Sequence, residues 1–117
     1  MSKLVQKGGT AKTTTTAALG VLLSRSGIPV HLVDMDPQAS LSRAFGQTDP
    51  ADRLYHSFAS RASLPVDTLA SNLTLTASSI ELARMETELL NETGREFFLR
   101  TSLDKTALPS NAVVLLD

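Results

Sequence analysis

The segment QKGGTAKTTTTAALG, residues 6–20, constrains the fold more than any other part of the chain. It follows the short apolar pair Leu4 and Val5, contains two adjacent glycines, and continues into a helical pattern that begins at Lys12. A helix that starts after such a turn has first amides without intrahelical partners, and its dipole adds partial positive charge there. Because glycine lacks a Cβ atom, the turn can direct several amides at one point. The segment therefore predicts a strand, a turn and a helix that together bind a polyphosphate.

Two side chains at the predicted helix start complement such a site. The Lys12 ammonium can reach the β and γ phosphates, and the Thr13 hydroxyl can be a ligand of Mg²⁺. The strict pattern G-x-x-x-x-G-K-[ST] fails at both glycine positions, which Gln6 and Ala11 occupy. The alternative is an ordinary glycine turn followed by a solvated lysine, but the strand before the turn and the helix after it favour phosphate binding.

The remainder of the chain alternates strand and helix signals. PVHLVD and AVVLLD are continuous apolar runs, which are typical of strands buried on both faces of a parallel sheet. Gly27 is a predicted helix stop. Further expected elements are a short helix over Ala39–Phe45 that ends at Gly46, a helix near Leu54–Ala59 and a strand over Leu73–Ala77. The pattern predicts an α/β fold with a parallel sheet.

Two later helix starts carry the capping-box pattern, Ser78 with Glu81 and Thr93 with Glu96. Helical spacing assigns the following residues to the core: Leu82, Met85, Leu89 and Leu90 in the first helix, and Phe97, Phe98 and Leu103 in the second.

Composition excludes several classes of function. The 117 residues amount to one domain or part of one, and the net charge of -1 gives no global sign of nucleic-acid or anionic-membrane binding. The chain has no cysteine, which removes disulfides, thiolate metal sites and iron–sulfur clusters. His31 and His56 have no second histidine or cysteine at metal spacing, so a structural role is expected for both.

Carboxylates follow both apolar strands. Asp34 and Asp36 flank Met35 one βα unit after the glycine turn, and this position favours a functional role over that of simple loop residues. For Asp117, at the end of AVVLLD, the residues alone leave a structural and a functional role equally open.

QKGGTAKTTT, followed after one helix by LVDMDPQASLSRAFG, resembles the ParA/Soj family of chromosome- and plasmid-partitioning ATPases. That family has a deviant Walker A motif with an extra lysine before the paired glycines. NLTLTASSIELARMETEL and AVVLLD are similar to two further segments of the family. The resemblance implies a P-loop NTPase-type three-layer fold with a mainly parallel sheet. Residues 1–117 would be the N-terminal half of a single such domain, truncated after the Walker B strand.

The resemblance also implies a set of site residues and ligands. ATP and Mg²⁺ are the expected cofactors, and Lys7, Lys12 and Asp36 are the expected catalytic residues. Lys7 would cross a dimer interface to the partner's nucleotide, and Asp36 would position the attacking water. The expected nucleotide contacts are Lys7, Gly8, Gly9, Thr10, Ala11, Lys12, Thr13 and Thr14, and the expected magnesium residues are Thr13, Asp34, Asp36 and Asp117.

For an intact parent protein, the resemblance implies a cytoplasmic homodimer that binds non-specific DNA and a ParB-like partner, with no membrane association. Two alternatives stay open at this point: a degenerate fragment without catalysis, and a MinD-like septum-placement ATPase. The 117-residue chain by itself is expected to have little ATPase activity.

Overall fold

The computed structural model describes residues 3–6, 12–49, 51–88 and 92–117. Strands and helices alternate along most of the chain, as the sequence predicts. In chain order the elements are β1 (Lys3–Gln6), α1 (Lys12–Arg25), β2 (Val30–Val33), α2 (Ser40–Ala44), α3 (Arg53–Ser60), β3 (Asp67–Ala70), β4 (Leu73–Thr76), α4 (Leu82–Glu88), α5 (Glu92–Lys105) and β5 (Val113–Leu116).

The described strands form one sheet in the order β1-β5-β2-β4-β3. β1, β5, β2 and β4 pair in parallel, and β3 pairs with β4 in the antiparallel direction. In this register Val30 lies opposite both Leu73 and Val113, so the parallel strands start level with one another. Their carboxyl ends therefore meet at one edge of the sheet, which is the edge where open α/β sheets bind ligands.

Helices cover both faces of the sheet, which makes the three-layer α/β fold predicted from the sequence. On one face, α1 and α2 pack on a core that includes Leu32, Leu75 and Leu115. On the other face, α3, α4 and α5 pack on a core that includes Phe58, Leu82 and Val114. The residues of β2 are all buried, as expected for a strand covered on both faces.

α1 approaches the sheet through small residues. Its fully or largely buried positions are Thr16, Gly20 and Ser24, spaced one turn apart. A Cβ atom added to Gly20 would lie 2.9 Å from Leu32 Cδ2, so glycine permits this close contact. The helix ends at Arg25, and Gly27, with φ 86°, is the stop residue just beyond it, as predicted. The Gly27 amide donates to the Ser24 carbonyl and the Ile28 amide to the Leu23 carbonyl, the two bonds of a Schellman motif.

Several sequence expectations are wrong. Ser78 does not cap α4, because its hydroxyl donates to the Asp36 carbonyl oxygen at 2.5 Å. Thr93 lies within α5, which includes Glu92, and so is not its N-cap residue. Phe97 is 51% exposed, with Arg61 over its ring, whereas the neighbouring Leu99 is buried.

The antiparallel strand β3 has no counterpart in the sequence prediction. Its four residues, DTLA, alternate only between half-buried and exposed positions at the sheet edge, so they carry little hydrophobic signal. Leu82 and Met85 are buried as predicted, while Leu89 and Leu90 lie outside the described residues. Within the described part of the chain, each helix is too short or too polar to cross a membrane.

Candidate nucleotide site at the carboxyl edge of the sheet

Three parallel strands and the start of α1 bring polar side chains together at the carboxyl edge. Asp34 follows β2, Asp117 follows β5, and Ser78 lies two residues after β4. The backbone continues to pair beyond the strands: the Met35 amide donates to the Asp117 carbonyl at 2.9 Å, and the Asp34 amide to the Thr76 carbonyl at 3.0 Å. The aspartates are therefore fixed by the sheet and not by a loose loop.

Thr13 and Asp117 meet across 104 positions of sequence. The Thr13 hydroxyl donates to Asp117 Oδ2 at 2.8 Å, which joins the first turn of α1 to the end of β5. Asp117 is only 6% exposed, and its other carboxylate oxygen, Oδ1, is buried without a hydrogen-bond partner among the residues that the structure describes. A buried carboxylate oxygen without a partner is costly, so this atom is where a bound cation or a water would contribute most.

Asp34 is fully buried and takes part in several hydrogen bonds. Its Oδ2 accepts from the Ser42 hydroxyl at 2.6 Å and from the Ser42 amide at 2.9 Å, while Oδ1 accepts from the Asp36 amide at 3.1 Å. Burial raises the pKa of Asp34, and the nearby charge of Asp117 adds to this rise, whereas the bonds from Ser42 and Asp36 oppose it. Two buried carboxylates thus lie close enough to repel each other.

Asp36 lies on the turn that leads from β2 to α2. Its Oδ1 accepts from the Gln38 amide at 2.9 Å, and its carbonyl accepts from the Ala39 amide at 2.8 Å. The Asp36 side chain is partly exposed, unlike Asp34. The turn therefore holds the Asp36 backbone and leaves its carboxylate near solvent at the edge of the site.

The remaining predicted site residues divide into two groups. Lys12 is half-buried at the start of α1, and Thr14 is exposed on the same turn. Lys7, Gly8, Gly9, Thr10 and Ala11 lie outside the described residues. The structure therefore gives the two ends of the predicted strand–turn–helix unit, at Gln6 and Lys12, and the carboxylates beside it.

The carboxylates at this edge form no ion pair with a described side chain. In residues 12–49, 51–88 and 92–117, the ion pairs are those of Arg53 and Arg84, and none includes Asp34, Asp36 or Asp117. The described residues also contain no group of three His, Cys, Asp or Glu side chains arranged to hold a metal ion. One hydroxyl and one carboxylate oxygen without a described partner suit a magnesium ion that is otherwise surrounded by oxygens of phosphate and water. The residues present thus fit a magnesium–nucleotide complex.

Sequence reasoning missed two residues of this edge, Ser42 and Ser78. The Ser78 amide donates to the Ser42 hydroxyl oxygen at 2.9 Å, and both residues are buried. The sequence predicts Ser78 as the cap of α4, and it places Ser42 inside a short helix without indicating a role for it. The one available signal was the placement of Ser42 one turn into the helix that follows DMDPQ.

Comparison with known proteins assigns this arrangement to a class. The family model described as an AAA domain matches residues 2–117. A plasmid partition protein from Borrelia burgdorferi superposes with a TM-score of 0.79 at 25% identity, over 98% of this chain and 55% of that one. A cobyrinic acid a,c-diamide synthase from Mycobacterium smegmatis, with a bound ATP analogue and magnesium, superposes with a TM-score of 0.77 at 32% identity, over 98% of this chain and 50% of that one. The fold is therefore that of a P-loop ATPase domain.

Curated relatives narrow the class to a family. The chromosome-partitioning ATPase Soj of Treponema pallidum is 36% identical over 101 residues, which is 84% of this chain and 40% of the relative. The chromosome partitioning protein ParA of Caulobacter vibrioides is 34% identical over 104 residues, 85% of this chain and 39% of the relative. An uncharacterized protein of Mycobacterium tuberculosis is 38% identical over 104 residues, 84% of this chain and 33% of the relative. The chain belongs to the ParA/Soj family of partitioning ATPases, and it spans between a third and two fifths of the length of these relatives.

Proposed function

We propose that this chain is the ATP-binding portion of a ParA-like partitioning ATPase and that its carboxyl edge binds Mg·ATP. The observation that carries this proposal is the Thr13–Asp117 contact of 2.8 Å, beside a buried Asp117 oxygen without a partner. A hydroxyl on the first turn of a helix and a carboxylate at the end of a neighbouring strand are the pair that P-loop proteins use around magnesium.

Each residue of the site would have a distinct role. Thr13 would be a direct magnesium ligand, and Asp117 would hold the ion through water, using the oxygen that lacks a partner. Asp34 would add negative charge near the ion without binding it directly, since its oxygens already accept three hydrogen bonds. When bound, magnesium would neutralise charge on the phosphates and on this pair of carboxylates.

The nucleotide would be held by residues 7–14. Lys12 and the amides of Gly8, Gly9, Thr10 and Ala11 would surround the phosphates, with Thr14 at the α-phosphate. Asp36 would orient the attacking water with its carboxylate, which is partly exposed and accepts a hydrogen bond from the Gln38 amide. Phosphoryl transfer asks a protein mainly for positioning and charge neutralisation, and these residue types supply both.

The functions of the whole protein follow from the family. Lys7 would contact nucleotide bound by a second copy, so that ATP joins two copies that would otherwise repel each other through their lysines. The intact protein would then bind DNA non-specifically and release it when a ParB-like partner stimulates hydrolysis. Two of the relatives that match most of this chain are a chromosome-partitioning ATPase and a chromosome partitioning protein, and this supports the assignment.

Titration with a fluorescent ATP analogue tests the proposal on the chain itself. We expect saturable binding in the presence of Mg²⁺ and a loss of about 100-fold or more in affinity for Lys12→Ala, because the lysine neutralises phosphate charge. Lys105→Ala is the matched control, since Lys105 is a lysine at the far end of α5 whose ammonium contacts the Arg61 carbonyl. It should bind as the wild type does.

Circular dichroism of each sample distinguishes loss of the site from loss of the fold. Absence of binding by a folded wild-type chain would contradict the proposal and favour a degenerate remnant without catalysis. Equal binding by the Lys12→Ala and wild-type chains would instead show that the analogue binds elsewhere.

A further inference from the structure

Ser42 lies at the junction of three elements of the carboxyl edge. Its hydroxyl donates to Asp34 Oδ2 at 2.6 Å and accepts from the Ser78 amide at 2.9 Å. The same residue's amide donates to Asp34 Oδ2 at 2.9 Å. One buried side chain on α2 thus joins the end of β2 to the segment after β4, and it is 0% exposed.

The hydrogen bonds continue from Asp34 to Asp36. Asp34 Oδ1 accepts from the Asp36 amide at 3.1 Å, so the carboxylate held by Ser42 also holds the backbone of Asp36. Ser78 completes the arrangement from the other side, since its hydroxyl donates to the Asp36 carbonyl at 2.5 Å. The position of the Asp36 backbone therefore depends on Ser42 through two short paths, one by Asp34 and one by Ser78.

We propose that Ser42 is a positioning residue for ATP hydrolysis, which fixes Asp36 through Asp34 and Ser78. The proposal rests on the function proposed above for Asp36, and it adds a residue that does not contact nucleotide. Removing the Ser42 hydroxyl leaves the Asp34 carboxylate with one donor fewer and the Ser78 amide without its acceptor. Asp36 would then sample positions away from the attacking water, while the Thr13–Asp117 pair stays intact.

The test compares turnover with binding in the complete gene product that contains this chain. For Ser42→Ala we expect kcat for ATP hydrolysis to fall about tenfold while KM and the affinity for Mg·ATP stay within about twofold, because misplacement affects the chemical step. Ser42→Thr keeps the hydroxyl and should retain kcat within about threefold of the wild type.

Ser102→Ala is the matched control. Ser102 is also a fully buried serine, on α5, but its hydroxyl has no hydrogen-bond partner within residues 12–49, 51–88 and 92–117. This variant should keep the wild-type kcat within about twofold, so it reports the effect of deleting a buried hydroxyl as such. Should Ser42→Ala fail to fold, Ser42→Cys replaces it, because the thiol is a weak donor of similar size and should lower kcat in the same direction.

Asp36→Ala separates the two proposals. If Asp36→Ala hydrolyses ATP as the wild type does, the role proposed for Asp36 fails, and with it the basis for Ser42. If Asp36→Ala is inactive while Ser42→Ala keeps full kcat, only the inference about Ser42 fails. It fails equally if Ser42→Ala weakens Mg·ATP binding as much as it lowers kcat, or if Ser42→Thr is as slow as Ser42→Ala, since both results indicate general damage to the site.

Discussion

Two groups of buried aspartates in this domain are stabilised in different ways. The first, here called the open cluster, consists of Asp34, Asp117, Thr13 and Ser42 at the carboxyl edge. The second, the closed cluster, consists of Asp49, Arg53 and Asp67. Both contain a carboxylate that is almost completely buried, yet only the closed cluster contains a cation among the described residues.

In the closed cluster both carboxylates are paired with one arginine. Arg53 Nε donates to Asp49 Oδ1 at 2.8 Å, and its two terminal nitrogens donate to the Asp67 oxygens at 2.8 and 3.2 Å. The second Asp49 oxygen accepts from the Leu54 amide at 3.1 Å. Bonds from Asp67 and then Asp49 raise the pKa of Arg53 above its ordinary value. The cluster joins the start of α3 to β3, and each of its carboxylates has a cationic partner.

The open cluster differs because hydroxyls and amides replace the guanidinium. Its two aspartates repel each other, and one oxygen of Asp117 has no hydrogen-bond partner in the described part of the chain. The comparison teaches that burial of aspartates is not by itself a sign of function. What distinguishes the carboxyl edge is a pair of carboxylates without an ion-pair partner among the described residues, in the position proposed for a magnesium–phosphate complex.

The largest predicted effect tests the premise that buried charge is costly without a charged partner. His31 is fully buried between the Thr74 and Thr76 hydroxyls, and burial lowers its pKa to about 4. The unfolded chain binds a proton near pH 6.5 and the folded chain does not, so stability is lost as the pH falls from 6.5 towards 4. At about 1.4 kcal/mol per pH unit, the loss reaches roughly 3 kcal/mol.

Urea denaturation at several pH values measures this loss. His31→Gln keeps polar atoms but does not titrate, so its stability should vary less between pH 7 and pH 4.5. The raised pKa of Asp34 acts in the opposite direction in both proteins and cancels in the comparison. Parallel pH profiles for the two proteins would show that burial of His31 is not costly to its charged form.

The next effect concerns the open cluster alone. Asp117→Asn removes the charge that repels Asp34, so the free protein should be as stable as the wild type or more stable by up to about 1 kcal/mol. Saturating Mg·ATP, at about 100 times Kd, should stabilise the wild type by about 2.7 kcal/mol and the variant far less. Thermal denaturation with and without Mg·ATP measures both quantities. The account would be contradicted if free Asp117→Asn were less stable than the wild type and Mg·ATP stabilised both proteins equally.

A smaller effect is expected in the closed cluster. Arg53→Met leaves the buried Asp49 without its cation, and we expect a loss of about 2 kcal/mol, below that of a fully buried pair because Arg53 is 42% exposed. Arg53→Lys should lose less, since it keeps the charge without the two-nitrogen contact to Asp67. Both variants should gain as much from Mg·ATP as the wild type does. Loss of nucleotide binding by Arg53→Met would mean that the two clusters are not independent.

The smallest effect concerns the turn between Asp36 and Ser42. Ala39 has φ 57°, a left-handed conformation that costs a residue with a Cβ atom more than it costs glycine. Ala39→Gly should therefore stabilise the protein by about 0.5 kcal/mol. The same substitution at Ala18, an exposed position inside α1, should destabilise it by about 1 kcal/mol. Chemical denaturation measures the free energy of unfolding of both variants. If Ala39→Gly and Ala18→Gly changed it in the same direction, strain at Ala39 would be disproved.

Most of the fold could be predicted from the sequence because the strongest sequence signals are local. The apolar runs around Leu32 and Leu115 and the glycine stops at Gly27 and Gly46 determine strands and helix ends wherever they occur. β3 was missed because an edge strand needs no continuous apolar run. Phe97 is misassigned because helical spacing does not say which of several nearby apolar residues faces the core, and Leu99, two positions further on, takes that place.

The site could be predicted only in part, for a similar reason. Glycines, lysines and aspartates in a row indicate phosphate chemistry, and Thr13, Asp34 and Asp117 do lie at one edge. The contacts of Ser42 with Asp34 and with Ser78 could not be foreseen, because the longer of them joins residues 36 positions apart through the register of the sheet. The opposite character of Asp34 and Asp49 was equally hidden, since the sequence does not show which aspartate has an arginine beside it.

The most direct test of the open cluster is the magnesium dependence of ATP binding, measured by calorimetry on the wild type and on Thr13→Val. The account predicts that Mg²⁺ raises the affinity of the wild type for ATP by about tenfold or more over EDTA, and that Thr13→Val loses most of this gain. Equal affinity with and without Mg²⁺ in a folded wild-type chain, or an undiminished gain in Thr13→Val, would contradict it.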